Sequence, residues 1–255
     1  MIITHIDDVT RAVLEDVAGA RNPRLRNIME IVVRHLHAAV REAQLTESEL
    51  HEACAFIAGL GQASSASHNE VVLLAGSLGV SSLVCLQSNA ADGNARTTAN
   101  LLGPFWRMGS PPMTNGASIV RSPIPGPAVF VSARIEDAEG RPVAGAEVDV
   151  WHASTEGFYE NQDPLQADMN LRGKFTSGED GRIAFRTVKP AGYPVPVDGP
   201  VGEMLRSIGR DHMRPAHLHF LIFKPGFKTQ FPQVYSADDR TPPTIPTSTP
   251  MCSTA

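Results

Sequence analysis

The sequence predicts an α+β protein in which a helical N-terminal region precedes an antiparallel β-sandwich. Apolar residues recur at spacings of three and four between residues 6 and 90, as one face of a helix requires. After residue 103, glycine and proline become frequent, and apolar residues alternate with polar ones in short segments. We therefore expect a helical domain and linker over residues 1–100 and a sandwich that carries the functional site over residues 101–240.

The helical region divides into three apolar runs. The first, residues 25–36, places six apolar side chains on one helix face. Thr46 and Glu49 have the spacing of a capping box, which predicts that the second helix begins there. The third run, residues 71–86, is apolar nearly all round and contains two glycines. This run predicts a buried helix or a buried pair of helices.

The sandwich is predicted from alternating segments and the turns between them. Alternation of apolar and polar residues occurs within residues 129–135, 146–150 and 218–222. Turn sequences such as Glu179-Asp180-Gly181 separate such segments. The final residues, 241–255, carry no charge and four prolines, so we expect an atypical, disordered tail there.

Composition and charge exclude several classes of protein. The 255 residues carry a net charge of −5, which gives no general attraction to nucleic acid or to an anionic membrane. No apolar run approaches the ~20 residues of a membrane-spanning helix, so we expect no membrane insertion. The N-terminus lacks the pattern of a signal peptide. The three cysteines are widely spaced and odd in number, which indicates the cytoplasm rather than a disulfide framework.

A histidine pair is the first candidate for chemistry. His217 and His219 are two positions apart in a predicted strand, so both side chains point to the same side of it. Two imidazoles at this spacing form half of a metal site. An isolated pair of this kind is more often found on a solvated face. The apolar run that follows, residues 220–223, instead places this pair on a core strand.

Tyrosine is scarce, and an arginine lies close to the histidine pair. The chain has three tyrosines, of which Tyr159 and Tyr193 lie in turn-like segments. Taken singly, each is interpreted as a half-buried aromatic residue whose hydroxyl bonds to the backbone. Arg214 taken alone is interpreted as a surface ion pair, and His152 as a structural hydrogen-bonding residue. Spacing alone cannot join the tyrosines to the histidines.

Four stretches of the chain resemble the intradiol ring-cleavage dioxygenases, the non-haem ferric enzymes that open catechol-type rings. These stretches are residues 102–105, 140–160, 192–210 and 214–220. The resemblance implies that Fe(III) is held by two tyrosines and two histidines: Tyr159, Tyr193, His217 and His219. It also implies that Arg214 stabilises developing negative charge in catalysis, and that Gln230 assists it.

The resemblance further implies a small aromatic diol or triol and O2 as the reactants. It implies that one oxygen atom is inserted between the two hydroxyl-bearing carbons. Three segments would supply the substrate pocket: Gly103, Pro104 and Phe105; Val195 and Pro196; and Leu73 and Gly76. In this family the N-terminal helices form a homodimer, so we expect a homodimer here.

The resemblance leaves two substrates open within the family, hydroxyquinol and catechol. Residues 102–105 and 193–200 look like those of hydroxyquinol 1,2-dioxygenases, which implies a muconate- or maleylacetate-type product. Gln230 is instead similar to a glutamine of catechol 1,2-dioxygenases, which give cis,cis-muconate. Gly76 stands where hydroxyquinol enzymes often carry an acidic residue. The hydroxyquinol interpretation is preferred here, with catechol as the alternative.

Two hypotheses from other functional classes, a binding module and a zinc hydrolase, are also considered. In the family, further strands follow the segment that ends near residue 240, whereas this sequence turns to its proline-rich tail. The sandwich is then expected to lack edge strands, and the chain could be an inactive binding module. A zinc hydrolase built on His217, His219 and a carboxylate has no third ligand at a characteristic spacing.

Overall fold

The computed structural model describes residues 5–65, 69–90, 97, 100 and 102–237, with the backbone alone at 89 and 90. Contacts between residues divide the chain into two compact units, Met1–Ala58 and Gly59–Ala255. This division lies well before residue 100, the predicted end of the helical domain. The helices after residue 63 therefore share a unit with the β-strands. The tail expected over residues 241–255 lies outside the described residues.

Six helices occupy the described residues: α1 (Ile6–Ala18), α2 (Pro23–Glu42), α3 (Glu47–Ala63), α4 (Glu70–Ser77), α5 (Val80–Ala90) and α6 (Pro200–Ser207). Helices α1 and α2 lie antiparallel, since Thr10 Oγ1 lies 2.9 Å from His37 Nδ1 and 2.8 Å from Arg41 Nη2. The backbone N–H of Glu49 donates to Thr46 Oγ1, and the Thr46 N–H donates to the Glu49 carboxylate at 2.8 Å. The predicted capping box at the start of α3 is therefore confirmed.

The third apolar run forms the predicted pair of helices but not the predicted burial. Helices α4 and α5 meet at Gly79, whose φ of +74° favours glycine. The expected burial is wrong, because several apolar side chains are half exposed or more: Val71, Val72, Leu83 and Val84. Helix α4 instead buries Glu70, whose carboxylate accepts a hydrogen bond from the Val201 N–H of α6 at 2.9 Å.

No single helix of the described residues has the length and apolar character needed to cross a membrane. Helices α4 and α5 meet that test only when they are joined across their 74° bend.

The described residues contain eight strands: β1 (Ala128–Arg134), β2 (Glu147–Trp151), β3 (Arg172–Thr176), β4 (Arg182–Val188), β5 (Tyr193–Pro194), β6 (Met213–Arg214), β7 (His217–Phe223) and β8 (Gln233–Tyr235). Every pair among these strands is antiparallel. Strands β3, β2, β7 and β8, in that order, form one sheet, and β1 with β4 and β5 with β6 form two smaller ones.

The four-stranded sheet and the β1–β4 sheet enclose a hydrophobic core. Its buried members are Ile119, Val148, Val150, Phe175, Ile183, Phe185 and Phe220. Leu218 and Ile222 of β7 pack against the same core. Because side chains alternate along a strand, His217 and His219 face away from this core. The predicted α+β class, with an antiparallel sandwich after the helices, is confirmed.

Candidate metal centre

The two histidines lie side by side on β7. Their Nε2 atoms are 3.1 Å apart, and both rings are buried. Nδ1 of His217 lies 2.7 Å from the carbonyl oxygen of Pro215. Nδ1 therefore carries the proton and Nε2 keeps its lone pair. This face of β7 presents imidazole nitrogen in the form that binds a metal.

Two tyrosines reach the same place from different elements. Tyr159 lies in the segment that follows β2, and Tyr193 begins β5. Their hydroxyl oxygens are 3.2 Å apart, and their rings meet edge to face at 5.5 Å. The ring of Tyr193 lies 5.6 Å from that of His217, and the ring of Tyr159 lies 6.4 Å from that of His219. The structure thus joins the four side chains that the resemblance implies as ligands.

Strand pairing brings Arg214 to this cluster. Arg214 lies opposite Tyr193 in the β5–β6 pair, and side chains of opposed residues point to the same face. Its Nη1 donates to Tyr193 Oη at 3.4 Å, and its Nη2 donates to Gln233 Oε1 at 3.0 Å. The guanidinium therefore places a half-buried positive charge beside one of the two phenols, rather than an ion pair at the surface.

The structure brings Gln233, rather than the predicted Gln230, to this cluster. In the β7–β8 register Gln233 lies opposite His219, and its Nε2 is 3.2 Å from Nδ1 of that ring. Gln230 lies opposite Ile222, on the face that packs against the hydrophobic core. The two positions are three apart along the chain, an odd offset, so their side chains point to opposite faces. Gln233 connects Arg214 to the histidine pair, and Gln230 lies on the other side of the sheet.

His152 has the structural role expected of it. Its Nε2 lies 2.6 Å from Thr187 Oγ1, and its Nδ1 lies 2.7 Å from the carbonyl oxygen of Ala153. Burial lowers the pKa of His152 to about 4, so the ring stays neutral. In the described part of the chain, no group of three His, Cys, Asp or Glu side chains could hold a metal. The described residues therefore give no support to the zinc hydrolase hypothesis.

The segment at 102–105 lies against the cluster. Gly103 has a φ of +80°, and a β-carbon there would lie 3.2 Å from Cε1 of His219. Phe105 stacks on the Tyr159 ring with centroids 4.3 Å apart and meets the Tyr193 ring edge to face at 6.3 Å. Gly103 and Phe105, two of the predicted pocket residues, therefore lie against the candidate ligands.

The other predicted pocket residues are placed less directly. Val195 is buried two positions after Tyr193, Pro196 is half-buried beside it, and Pro104 is exposed. Leu73 and Gly76 lie in α4, which is attached to α6 through the buried Glu70 described above. No described contact joins Leu73 or Gly76 to the four candidate ligands, so their role stays a prediction.

Burial controls the charge of the cluster. It raises the pKa of Tyr159 well above its ordinary value, and the neighbouring Tyr193 acts in the same direction. Burial also lowers the pKa of His217 and of His219 well below the ordinary value, and nearby positive charge adds to this effect. Neutral imidazoles keep their lone pairs, whereas the buried Tyr159 phenol loses its proton only beside a strong cation. Two phenolate oxygens and two imidazole nitrogens are a donor set that fits Fe(III).

The sequence matches two dioxygenase family models, and both sequence and structure are similar to known dioxygenases. Residues 22–96 match the family model described as the catechol dioxygenase N terminus, and residues 102–249 match the one described as dioxygenase. A hydroxyquinol 1,2-dioxygenase of Rhizobium sp. (strain MTP-10005) is 44% identical over 86% of this chain and 74% of its own length. A catechol 1,2-dioxygenase of Candida albicans is 34% identical over 90% of this chain and 76% of its own length. The crystal structure of a hydroxyquinol 1,2-dioxygenase from Pseudomonas putida DLL-E4 superposes with a TM-score of 0.83 at 38% identity, covering 92% of this chain and 82% of that one.

Proposed function

Since this chain belongs to the intradiol ring-cleavage dioxygenase family, we propose that it cleaves hydroxyquinol (benzene-1,2,4-triol) between its two adjacent hydroxyl-bearing carbons. The reaction uses O2 and a non-haem ferric ion and gives a muconate- or maleylacetate-type product. The observation that carries this proposal is the convergence of two buried phenols and two neutral imidazoles beside one half-buried guanidinium. Tyr159, Tyr193, His217 and His219 would hold the ion.

The bound ferric ion would supply Lewis-acid chemistry, which lowers the pKa of the substrate hydroxyls and activates the ring toward O2. As a phenolate on the ion, the oxygen of Tyr193 would take up one substrate proton, and Arg214 lies 3.4 Å from this oxygen. Arg214 then stabilises negative charge on the substrate from a half-buried position. Gln233 holds this guanidinium in place through its Oε1.

The apolar neighbours of the cluster have a different task. Phe105 covers the Tyr159 ring, and Gly103 lets the backbone pass close to His219. A side chain at position 103 would occupy the space beside the imidazole. We assign these residues to the wall that excludes water from the reacting ring and leaves room for a flat aromatic substrate.

The preference for hydroxyquinol over catechol rests on two features. The hydroxyquinol 1,2-dioxygenase of Rhizobium is 44% identical, against 34% for the catechol 1,2-dioxygenase of Candida. Gly76, which we assign to the pocket together with Leu73, leaves open space, since no described atom lies within 4 Å of a β-carbon built there. This space is proposed to accommodate the third ring hydroxyl, although position 76 lacks the acidic side chain that hydroxyquinol enzymes often carry there and gives that hydroxyl no side-chain partner.

The substrate is tested by comparing kcat/KM for hydroxyquinol and catechol with the iron-loaded chain. We expect hydroxyquinol to be preferred only about tenfold, since a pocket that accommodates a hydroxyl without a side chain to bond it discriminates weakly against the analogue without it. A higher kcat/KM for catechol would support the alternative, catechol 1,2-dioxygenase activity. A folded chain that takes up iron and cleaves neither compound would support the inactive binding module.

The proposal includes a homodimer formed through the N-terminal helices. An apolar stripe along α2 is exposed in the single chain, at Leu25, Ile28, Val32 and Leu36. A stripe of this kind marks an interaction surface more often than a solvated one. Light scattering is expected to give twice the 27.4 kDa mass of one chain. A monomer at micromolar concentration would contradict this part of the proposal.

A cytoplasmic location is also proposed. It is supported by the odd number and wide spacing of the three cysteines, which suit a reducing compartment. Fractionation of the producing cells tests it, and recovery of the chain outside the cytoplasmic fraction would contradict it.

A further inference from the structure

The start of helix α6 is capped by a residue of another helix. Gly199, which precedes α6, has no side chain to accept a hydrogen bond, and Pro200 has no N–H to donate one. The next amide, that of Val201, donates at 2.9 Å to Oε1 of Glu70, the first residue of α4. A carboxylate is favoured at this end of a helix, because the amides there carry partial positive charge. Glu70 therefore supplies the cap that the residues preceding α6 lack.

The Glu70 carboxylate is fitted to α6 rather than to its own helix. Asn69 caps α4, since its side chain accepts a hydrogen bond from the Val72 N–H at 3.0 Å. A β-carbon at Gly199 would lie 2.5 Å from Glu70 Oε1, whereas the φ of −110° at this glycine is open to any residue. The space that the carboxylate takes, rather than the backbone conformation, thus excludes a side chain at position 199. Glu70 is only 1% exposed, and a carboxylate is buried at this cost only where donors hold it.

A second contact joins the other ends of the same two helices. Arg210, three residues after the end of α6, donates from its guanidinium to the carbonyl oxygen of Ser77, the last residue of α4. The two helices therefore run side by side in the same direction and are attached at both ends. Leu73 and Gly76, which we assign to the substrate pocket, lie on α4 between these two points of attachment.

Helix α6 is in turn fixed to the other side of the pocket. It lies in the loop between β5 and β6, the paired strands that carry a candidate tyrosine ligand and the arginine of the cluster. The Val195 N–H donates to the carbonyl oxygen of His212 at 2.9 Å, which closes this loop at its base. A β-carbon at Gly202 of α6 would overlap the carbonyl oxygen of Val197, so the helix backbone packs directly on the segment after Tyr193.

We propose that Glu70 is a positioning residue for the substrate pocket. Its carboxylate holds the α4 wall, with Leu73 and Gly76, in a fixed place relative to the loop that carries Val195 and Pro196. The width of the pocket, and with it the choice between hydroxyquinol and catechol, then depends on the contact between Glu70 and α6. This inference rests on the proposed function and adds to it a residue that determines specificity.

The test compares kcat/KM for hydroxyquinol and for catechol in Glu70→Ala and in the wild-type chain, both loaded with iron. We expect the preference between the two substrates to fall at least about fivefold, because a displaced pocket wall misplaces the ring that it selects. Iron content and the visible spectrum without substrate should stay as in the wild type, since the four proposed ligands lie on other elements. Glu70→Gln keeps an oxygen that can accept from the Val201 N–H, so it should keep the preference within about twofold.

A second variant tests the same contact from the side of α6. Gly199→Ala should reproduce the loss of preference, since its β-carbon would displace the Glu70 carboxylate. Adding Gly199→Ala to Glu70→Ala should change nothing further, because the displaced group is already absent. Glu203→Ala removes an exposed carboxylate from the first turn of α6, and Gly61→Ala adds a β-carbon where no described atom lies within 4 Å. These two matched controls should keep the wild-type preference.

Several outcomes would overturn the proposal. An unchanged preference in a folded Glu70→Ala, even with a lower Tm, would show that the contact only stabilises the fold. Additive effects of Glu70→Ala and Gly199→Ala, or a lost preference in Glu203→Ala, would contradict it as well. If circular dichroism shows that Glu70→Ala is unfolded, Gly199→Ala decides, and an unchanged preference there overturns the inference. A wild-type chain that cleaves neither compound would instead contradict the proposed function, so the two failures are distinguishable.

Discussion

A Tyr159→Phe variant is expected to lose most of its iron and its visible colour, and its turnover should fall more than about 100-fold, since losing even an outer-shell partner typically costs 10–100-fold in metal affinity or activity. The phenol of Tyr159 is fully buried, and its oxygen lies 3.2 Å from that of Tyr193. Phenylalanine keeps the ring stack with Phe105 but removes the oxygen that would bind the ion. Iron content, the visible spectrum and initial rates with hydroxyquinol measure the effect.

The third tyrosine of the chain provides the matched control. Tyr235 is buried nearby and donates its hydroxyl hydrogen bond to Gln233 Oε1 at 2.5 Å, but it is not among the four proposed ligands. A Tyr235→Phe variant should therefore retain iron and colour. If Tyr159→Phe kept iron, colour and turnover at the wild-type level, the assignment of Tyr159 as a ligand would be wrong.

An Arg214→Ala variant is expected to turn over about 100- to 1000-fold more slowly while its iron content stays unchanged, which is the usual loss when one buried donor that stabilises developing charge is removed. Arg214 contacts Tyr193 and Gln233 but carries no atom that could bind a cation. The measurement is kcat with hydroxyquinol, normalised to the bound iron of each preparation.

An arginine of α6 serves as control for this second variant. Arg206 is exposed and donates to the carbonyl oxygen of Val197 at 2.8 Å, so Arg206→Ala should leave kcat unchanged. An Arg214→Ala variant with the wild-type rate per iron would remove the proposed role of Arg214. A variant that lost its iron instead would show that Arg214 supports the ferric site rather than the reaction.

The elements that local sequence determines were predicted well. The Thr46–Glu49 capping box is predicted from two residues three positions apart, and the structure contains its hydrogen bonds. Side chains alternate along a strand with a period of two residues, so His217 and His219 were correctly predicted to point to the same side. The exposure of Val71 and Val84 was missed, because an apolar run does not reveal whether a partner inside the same chain covers it.

The assembly of the site depends on pairings between distant residues, which spacing does not encode. Tyr193 and Arg214 meet because β5 pairs with β6, and Tyr159 joins them from the segment after β2. The resemblance to a known family supplied this grouping before the structure did.

The position of the glutamine depends on the register of the strand that returns beside β7. A turn follows β7, and a slip of one residue in the pairing after it would exchange the faces of Gln230 and Gln233. Only positions of the same face as His219 can reach its ring. Gln233 satisfies this condition and Gln230 does not. The register that the structure shows therefore separates the two glutamines, and the sequence alone does not fix it.

The ferric site is tested most directly by the visible absorption spectrum of the purified chain, recorded with the iron content of the same sample. Two buried phenols beside two imidazoles predict a red protein that holds an iron ion on each chain. They also predict that its intense visible band shifts when hydroxyquinol is added. A folded chain that takes up no iron, or that holds iron without an intense visible band, would contradict the four-ligand site.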